Sequence, residues 1–336
     1  MKKFRADDPE ALAADLKPSL DELEILREDI LQKIISAKKR LAIAVILTLA
    51  VCISFLVYLE RNVAYPIDYY IFLLIPILIG GFYCNRVYFR HVDSNAKNYQ
   101  KSYKEKVIGG IASRLYDGMV FMPEGGISED EFRESGLYPR IPDSYSHEDG
   151  FAGKVGKTEI LFSEVRATER VTETDAQGKT RTRTVTIFNG LFLKADFNKN
   201  FNCWLTVKPD FAEKTFGWLG KKIQGFNPKL IQLENPEFEK AFTVHGSDQV
   251  EVRYILTPDL QERLLNLRDS YGKDIRISFK NSNIYIAISD SSNWYEPDIK
   301  LPAHDISQIK KFLNEMCFMF NLVYQLDLNT RIWSKH

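Results

Sequence analysis

Two long apolar runs lie near the start of the chain, and charged residues bound each of them. Residues 41–59 contain no charge, and as a helix they would cover about 28 Å, close to the ~30 Å thickness of the bilayer hydrocarbon. A second run covers residues 64–84, with Asp68 near its start and Pro76 inside it. We therefore predict two transmembrane helices at about 41–59 and 64–84, in preference to a buried hairpin in a soluble core.

Basic residues flank the two runs on their outer sides. Lys38, Lys39 and Arg40 precede the first run, and Arg86 and Arg90 follow the second, whereas the short loop between the runs holds a single basic residue. Because cytoplasmic loops carry the excess of lysine and arginine, both ends of the chain are predicted to face the cytoplasm. The mostly polar segment before the first run also argues against a cleaved signal peptide.

Amphipathic helices are predicted on both sides of this hairpin. Ser19 and Glu22 form a capping-box pattern, and no glycine or proline follows until the first run ends, so we expect one helix of about forty residues. Apolar stripes occur in both flanking segments, at Leu23, Leu26, Ile30 and Ile34 and then at Tyr99, Tyr103, Val107, Ile111 and Leu115. The stripes could pair as a stalk, pack on the globular domain, or join two copies of the chain as a homo-oligomer.

The chain therefore divides into a flexible tail (1–18), a stalk with the transmembrane hairpin (19–117) and a cytoplasmic domain (118–336). In the domain, Ser128 and Glu131 form a second capping box, and the helix they begin should stop at Gly136. A further helix is predicted between Thr257 and Gly272, and a last one from about Asp305. Alternating apolar and polar positions predict strands at 151–172, 180–208, 228–233, 241–246, 274–280 and 283–289.

These elements predict an α+β domain, with a mainly antiparallel sheet and helices packed on one side. A pleckstrin-homology-like barrel is the alternative, although the helix near residue 260 does not fit it without an insertion. The hairpin around residues 168–184 has polar residues on both faces, which indicates a ribbon in solvent that is either bare or a binding element.

Composition narrows the function classes. Forty-five basic and forty-five acidic residues cancel, so no overall field favours nucleic acid. The four cysteines, Cys52, Cys84, Cys203 and Cys317, form no CxxC pair, which argues against a disulfide framework and a zinc site and fits a reducing compartment.

No sequence motif identifies a reaction. Phosphate-binding glycine loops, HExxH and a serine nucleophile elbow are all missing from the sequence. His147, Glu148 and Asp149 are consecutive, and alternation along an extended segment would point them to opposite faces, away from a shared ion. We therefore predict no catalytic, metal or cofactor residues, and a hydrolase using Glu148, Asp149, Glu164 and Asp248 is the competing hypothesis.

Residues 211–226 combine aromatic residues with lysines. This composition suits contact with an anionic membrane surface, although the aromatic residues could instead pack into the domain. The residues predicted to contact lipid are Phe216, Trp218, Leu219, Lys221 and Lys222.

Several short segments, in order along the chain, resemble the bacterial domain-of-unknown-function family 3137. They include Ser135–Leu137, Phe162–Glu164, Asp196–Lys199, Asn235–Glu239, Ser247–Glu251, Arg253–Pro258 and Leu328–Trp333. The resemblance covers residues 95–335 and implies a membrane-tethered bacterial protein with a paired N-terminal span. It implies no reaction and no functional residues, and it implies a LemA-like membrane protein as a partner.

The sequence thus favours a non-enzymatic binding or scaffold protein at the cytoplasmic face of a bacterial inner membrane. Its activity, ligand and oligomeric state are not determined by the sequence.

Overall fold

The computed structural model describes residues 8–62, 72–174, 178–197, 201–209, 229–271, 274–326 and 328. The chain forms two compact units. The helical unit comprises Pro9–Val107 and Glu296–Ile309, and the sheet unit comprises Met1–Asp8, Ile108–Tyr295 and Lys310–His336. The protein is α+β, with a long N-terminal helix and a large antiparallel sheet.

The helical unit begins with helix α1 (Pro9–Asp15), followed by helix α2 (Lys17–Asn62). The structure thus places a helix inside the segment 1–18 that was expected to be a flexible tail, because Leu12 and Leu16 are buried there. Helix α2 starts before the predicted cap at Ser19, since Pro18 lies in the first turn, where its missing N–H is not needed. The helix then runs without interruption into the apolar run, as predicted.

Along α2 one set of residues that are at least half-buried repeats with a heptad period. These residues follow each other in steps of three and four through Leu20, Leu23, Arg27, Ile30, Ile34, Ala37, Leu41, Ala44 and Thr48. A period of 3.5 residues keeps one face of a long helix turned toward a partner helix. The predicted apolar stripe contains part of this face. Its full length was not predicted, because Arg27, Ala37, Ala44 and Thr48 are not large apolar residues.

The chain returns along α2 as helix α3 (Leu74–Tyr88), a π-helical turn (Phe89–Asp93), helix α4 (Ser94–Tyr103) and a second π-helical turn (Lys104–Ile108). Gly80 lies against Thr48, and Lys106 forms an ion pair with Glu22 at 2.6 Å. The number of residues from Glu22 to Thr48 equals the number from Gly80 to Lys106. The two segments therefore run antiparallel and stay in register between these contacts. The wider π turns accommodate buried residues that recur every four positions, beyond the 3.6 residues of an α-helical turn.

Pro76 was expected in the middle of the second span. In the structure it lies in the first turn of α3, where its missing N–H breaks no helical hydrogen bond. Residues 63–71, including Asp68, lie outside the described residues.

The sheet unit contains helices α5 (Gly109–Leu115) and α6 (Glu129–Glu134) and nine described strands. Their order across the sheet is β1-β2-β3-β4-β9-β8-β5-β7-β6, and every recorded pairing is antiparallel. The strands are β1 (Val120–Met122), β2 (Ser144–Val155), β3 (Thr158–Thr174), β4 (Thr180–Asp196), β5 (Leu205–Pro209), β6 (Lys229–Leu230), β7 (Phe242–Gly246), β8 (Ile275–Lys280) and β9 (Asn283–Ser289).

Local sequence signals account for the turns and caps of this unit. Ser128 and Glu131 form the predicted capping box of α6, and Gly136 follows the helix with a φ of 67°. Asn281 and Ser282 join β8 to β9 with φ angles of 52° and 57°, as a type I′ turn requires. Helix α7 (Pro236–Ala241) follows β6, and helix α8 (Gln249–Ile255) follows β7. Helix α9 (Pro258–Tyr271) comes directly after α8.

Helices cover both faces of the sheet, which corrects the prediction that they lie on one side. Phe132 of α6 packs with Val165, Phe188 and Phe192 in a buried cluster on one face. On the opposite face Phe162 contacts Phe320 of helix α10 (Ile306–Gln325), with ring centroids 6.0 Å apart. Because neighbouring residues of a strand point to opposite faces, the apolar residues of β3 supply both layers. The described strands form an open order with β1 and β6 at its edges, so they do not form the alternative barrel.

Candidate functional site

Three of the four carboxylates of the hydrolase hypothesis lie close together, and Asp248 lies apart from them. Glu148 is directly opposite Glu164 in the β2–β3 ladder, and Asp149 follows Glu148. Asp248 caps α8, where it accepts hydrogen bonds from Val250 N and Glu251 N at 2.9 and 2.8 Å. It follows β7, and four strands separate β7 from β3, which carries Glu164. At ~4.8 Å per strand, the two acids are about 24 Å apart along the sheet.

Two of the acids, Glu148 and Asp149, lie at a bulge in β2. The ladder shifts register between Glu148 and Phe151, and Asp149 adopts a φ of 53°. This bulge breaks the alternation expected from an extended segment, so carboxylate oxygens of these consecutive residues lie within 4.8 Å of each other. The sequence argument that they point apart was therefore wrong, because it assumed a regular strand.

The bulge is held against a close-packed loop. Asp149 N donates a hydrogen bond to Pro123 O at 3.0 Å. A Cβ atom on Gly150 would lie 2.5 Å from Gly125 O, so only glycine fits there. Asp149 is buried whereas Glu148 is exposed, which gives the two neighbouring acids different surroundings.

Glu164 and Glu315 hold the backbone of two successive residues. Glu164 accepts a hydrogen bond from Trp294 N at 2.5 Å, and Glu315 accepts one from Tyr295 N at 2.9 Å. Tyr295 is fully buried and has a φ of 55°, a conformation that a tyrosine rarely adopts without such support.

Burial shifts the pKa values of Glu315 and Tyr295. Burial raises the pKa of Glu315, and burial together with the Glu315, Asp149 and Glu164 carboxylates raises the pKa of Tyr295 far above its usual range. Carboxylates that accept hydrogen bonds from backbone amides stabilise the fold. The position of Glu164 and Glu315 beside Tyr295 therefore has a structural explanation.

The serines that precede Glu164 and Asp248 accept backbone hydrogen bonds, and the thiol of Cys203 is buried. Ser163 Oγ accepts a hydrogen bond from Ile127 N at 3.0 Å, and Ser247 Oγ accepts one from Trp204 N at 3.1 Å. Burial, and then the nearby Glu251 carboxylate, raises the pKa of the Cys203 thiol to about 12, so the thiol stays protonated at neutral pH.

The β3–β4 hairpin extends past its neighbouring strands as a two-stranded ribbon. Arg170 N donates a hydrogen bond to Asp143 Oδ2, and Asn189 O accepts one from Asp290 N. Beyond Arg170 and Asn189, the described ladder pairs of the two strands lie within the hairpin. One face carries hydroxyl pairs, of which Thr172 and Thr182 lie 3.2 Å apart. This outer part of the ribbon is mostly exposed, and no described strand pairs with the outer backbone edge of either strand there.

The opposite face of the ribbon is charged. Glu173 and Arg183 form an ion pair at 2.7 Å, and Arg181 stands directly opposite Glu173 in the ladder. Together the two faces offer hydroxyl, carboxylate and guanidinium groups to solvent with no apolar patch.

The helical unit contains the apolar stretch of the protein. Lys17–Arg61 is the described helix that is long and apolar enough to cross a membrane, with a mean hydropathy of 2.7 in an 18-residue window of which none is buried. Helix α3, with 15 described residues, packs along it.

Small residues form the contact between α2 and α3. Ala44, Thr48 and Cys52 recur every fourth residue on α2, and Gly80 and Cys84 do so on α3, all of them partly buried. A Cβ atom on Gly80 would overlap the Thr48 Oγ1, which shows how closely the helices approach. This small-xxx-small pattern is the signal that our sequence reasoning missed.

The predicted lipid-contact residues Phe216, Trp218, Leu219, Lys221 and Lys222 lie in 210–228, outside the described residues. The four cysteines are free in the structure.

Residues 186–328 match a known family model. The family is described as "Protein of unknown function (DUF3137)", and the matched stretch runs from β4 to just past α10. The resemblance found in the sequence is therefore confirmed over this part of the chain.

The comparison with curated proteins gave no match. Among solved structures, the chain is similar to the "crystal structure of the mycobacterial trehalose monomycolate transport factor A, TtfA", at 8% identity and a TM-score of 0.31. The alignment covers 67% of this chain and 93% of that chain. A likeness at this level gives no basis for transferring function.

Proposed function

We propose that this protein is a non-enzymatic binding or scaffold protein anchored at the cytoplasmic face of a bacterial inner membrane. In this proposal α2 and the helix ending at Tyr88 cross the bilayer, and both ends of the chain lie in the cytoplasm.

The antiparallel register of the helical unit carries the proposal. Glu22 and Lys106 form an ion pair, which supports placing the two ends of the helix pair on the same side of the membrane. α2 contains an apolar window long enough to cross the bilayer, and in this proposal the return segment crosses it as well. The close contact of Gly80 with Thr48 inside the apolar stretch supports two packed spans.

The distribution of charge supports the orientation. Lys38, Lys39 and Arg40 lie at one end of the apolar window of α2, and Arg86 and Arg90 lie at the matching level of the return segment. An excess of cations at this end favours the cytoplasmic side.

The β3–β4 ribbon is the binding element that we assign to the sheet unit. Its unpaired backbone edges can accept an extended strand from a partner, and its exposed threonine, glutamate and arginine side chains can select that partner. A LemA-like membrane protein is the partner that the family resemblance implies.

Catalysis by the acids is the less favoured alternative. Glu164 and Asp248 are engaged with backbone amides, and they lie about 24 Å apart along the sheet at ~4.8 Å per strand. A hydrolase site needs an acid, a base and a nucleophile within reach of one atom, so Asp248 cannot share a site with the other three acids.

The test is purification of the full chain in mild detergent, followed by native mass spectrometry. A matched variant replaces residues 170–184 with Asn-Gly, because Glu169 and Val185 are directly paired and a two-residue turn can join them. We expect a stoichiometric partner with the full chain and loss of that partner from the variant.

Two results would contradict the proposal. One is a partner that binds the shortened variant equally well, which would exclude the ribbon as the binding element. The other is turnover of model esters or phosphate esters by the pure chain that is lost in Glu164→Gln but kept in Asp248→Asn, which would establish an enzyme.

We further propose that residues 211–226 contact the anionic bilayer surface, on the strength of their aromatic and lysine content. In nanodiscs, brominated phosphatidylglycerol should quench part of the fluorescence of the full chain, and Trp218→Phe should remove that part. Equal quenching of the two proteins would exclude contact through Trp218.

A further inference from the structure

Five cations lie at one level of the helical unit, where the helix pair leaves its apolar stretch. Lys38, Lys39 and Arg40 are exposed on α2, and Arg86 and Arg90 are exposed on the return segment. The antiparallel register that places Gly80 against Thr48 and Lys106 against Glu22 also places these two groups opposite each other. We call these five residues the basic belt.

The basic belt differs from the cations farther along the helical unit. Five of those cations have carboxylate partners, in the pairs Arg27–Glu24, Lys33–Asp29, Lys97–Asp93, Lys104–Glu296 and Lys106–Glu22. Among the residues that the structure describes, no member of the basic belt has one. Five exposed cations at one level repel each other, and they favour the approach of a compact anion.

An apolar groove runs from the basic belt along the seam between α2 and α3. It has a volume of about 530 Å³, with Arg40 and Tyr83 at one end and Val51 and Pro76 at the other. From Arg40 to Val51 the helical rise gives a length of about 16 Å, which matches one leaflet, half of the ~30 Å hydrocarbon thickness.

The walls of the groove are apolar although they include a hydroxyl group. Thr48 Oγ1 donates a hydrogen bond to Ala44 O at 2.9 Å, so the wall presents little polarity to an occupant. Leu47 and Ile79 line the middle of the groove and are 59% and 65% exposed, so this part is open to the surroundings.

We propose that this groove binds one acyl chain of an anionic phospholipid from the cytoplasmic leaflet, with the lipid phosphate at the basic belt. A groove of one leaflet's length that ends at unpaired cations matches a ligand with an apolar chain and an anionic head. A second copy of the chain is a poorer occupant, because it would bring five more cations to the same level. The inference rests on the proposed membrane anchoring.

The test uses the full chain in phosphatidylcholine nanodiscs that contain a small share of phosphatidylglycerol with a photoactivatable acyl chain. Lipid adducts are mapped by mass spectrometry at the groove residues Leu47, Val51 and Ile79. Ile46 and Ile53 are the controls, since they are exposed but do not line the groove. We expect several-fold more adduct in the groove, and no such excess when the photoactivatable lipid is phosphatidylcholine.

Two matched pairs of variants test separately the charge of the basic belt and the shape of the groove. Arg40→Gln should lower the groove excess roughly fivefold, the factor expected for one cation near an anionic surface, whereas Lys33→Gln, whose lysine pairs with Asp29, should leave it unchanged. Leu47→Trp should fill the groove and abolish the excess at Val51 and Ile79. Ile46→Trp adds the same ring outside the groove and should not.

Equal adduct at groove and control positions, or an excess that does not depend on headgroup charge, would overturn the proposal while leaving the membrane anchoring intact. Adduct at neither set would overturn the anchoring and the lipid site together. A cross-link between two chains through the groove residues would show that a second copy occupies the groove, and would also overturn the proposal.

Discussion

Single residues set the spacing of the helix pair and the attachment of the segment beside it. Gly80 has a hydrogen atom where any other residue would overlap Thr48, whereas Gly81, its neighbour, has no heavy atom within 4 Å of the corresponding position. Glu24 accepts hydrogen bonds from Arg27 and, at 2.6 Å, from Ala303 N, and it thereby links α2 to the segment 296–309. Each of these residues permits a comparison with a close neighbour.

Gly80→Ala should destabilise the helical unit by about 1–3 kcal/mol, because the added methyl group forces apart two helices in close contact. Gly81→Ala should be neutral, or stabilising by up to about 1 kcal/mol, since it raises helix propensity in open space. Thermal unfolding in detergent, followed by circular dichroism, measures both. Equal stability of the two variants would contradict the close packing.

The second prediction concerns pH. The Arg27 guanidinium, helped by Ala303 N–H and opposed by burial, holds the pKa of Glu24 below its usual value of 4.5. Its hydrogen bonds therefore stabilise the fold above about pH 4.5, and this stability is lost as the pH falls through the lowered folded-state pKa.

The measurement is the midpoint of thermal unfolding from neutral pH to about pH 3. Glu24→Gln should unfold at a lower temperature than the parent at neutral pH, and the difference should shrink in acid. Glu28→Gln changes an exposed carboxylate one turn along the same helix and serves as the control. A difference that stays constant with pH would mean that Glu24 does not act as a carboxylate.

At the scale of elements, the β3–β4 hairpin combines two functions in one pair of strands. Its base contributes Val165, Ala167, Phe188 and Phe192 to the buried cluster of the sheet unit. Beyond Arg170, whose N–H donates to Asp143 Oδ2, its outer part is exposed and its described ladder pairs lie within the hairpin. Stability should therefore depend on the base, and recognition on the outer part.

Replacing residues 170–184 with Asn-Gly should change the stability of the sheet unit by no more than about 1 kcal/mol, because exposed positions away from special features contribute little. Phe188→Ala at the base of the same strand should cost about 3–5 kcal/mol, because it leaves a cavity among aromatic side chains. Chemical denaturation compares the two. A large loss of stability in the shortened variant would show that the outer part supports the fold.

At the scale of the whole molecule, the proposed topology has two antiparallel segments with apolar middles that both cross the bilayer. In this proposal the ion pair between Glu22 and Lys106 keeps both ends of the helix pair on the same side. A single crossing by α2 would separate them.

The topology can be tested with single cysteines placed in a variant whose four native cysteines are replaced by serine. A membrane-impermeant maleimide added to intact spheroplasts should label Arg61→Cys, but neither Ser36→Cys nor Lys97→Cys, all three sites being exposed. If Lys97→Cys were labelled as strongly as Arg61→Cys, the chain would cross the membrane only once, and the proposed topology would be wrong.

Much of the architecture followed from local signals. The capping box at Ser128 acts within a few residues, so the sequence alone located it. The cap at Asn235 before Pro236 and the turn at Asn281 are equally local. The apolar run at 41–59 and its helical continuity with the preceding segment depend on composition and period, which are also visible in the sequence.

The tertiary structure alone decided which surfaces meet. The bulge at Asp149 placed two consecutive acids side by side, because a loop packs against Gly150 from another part of the chain. The contact of Gly80 with Thr48, the placement of helices on both faces of the sheet and the grouping of the basic belt all join residues distant in sequence. The sequence by itself determined the elements, whose causes are local, and the tertiary structure determined the surfaces that carry the proposed function, since these arise only when distant segments pack together.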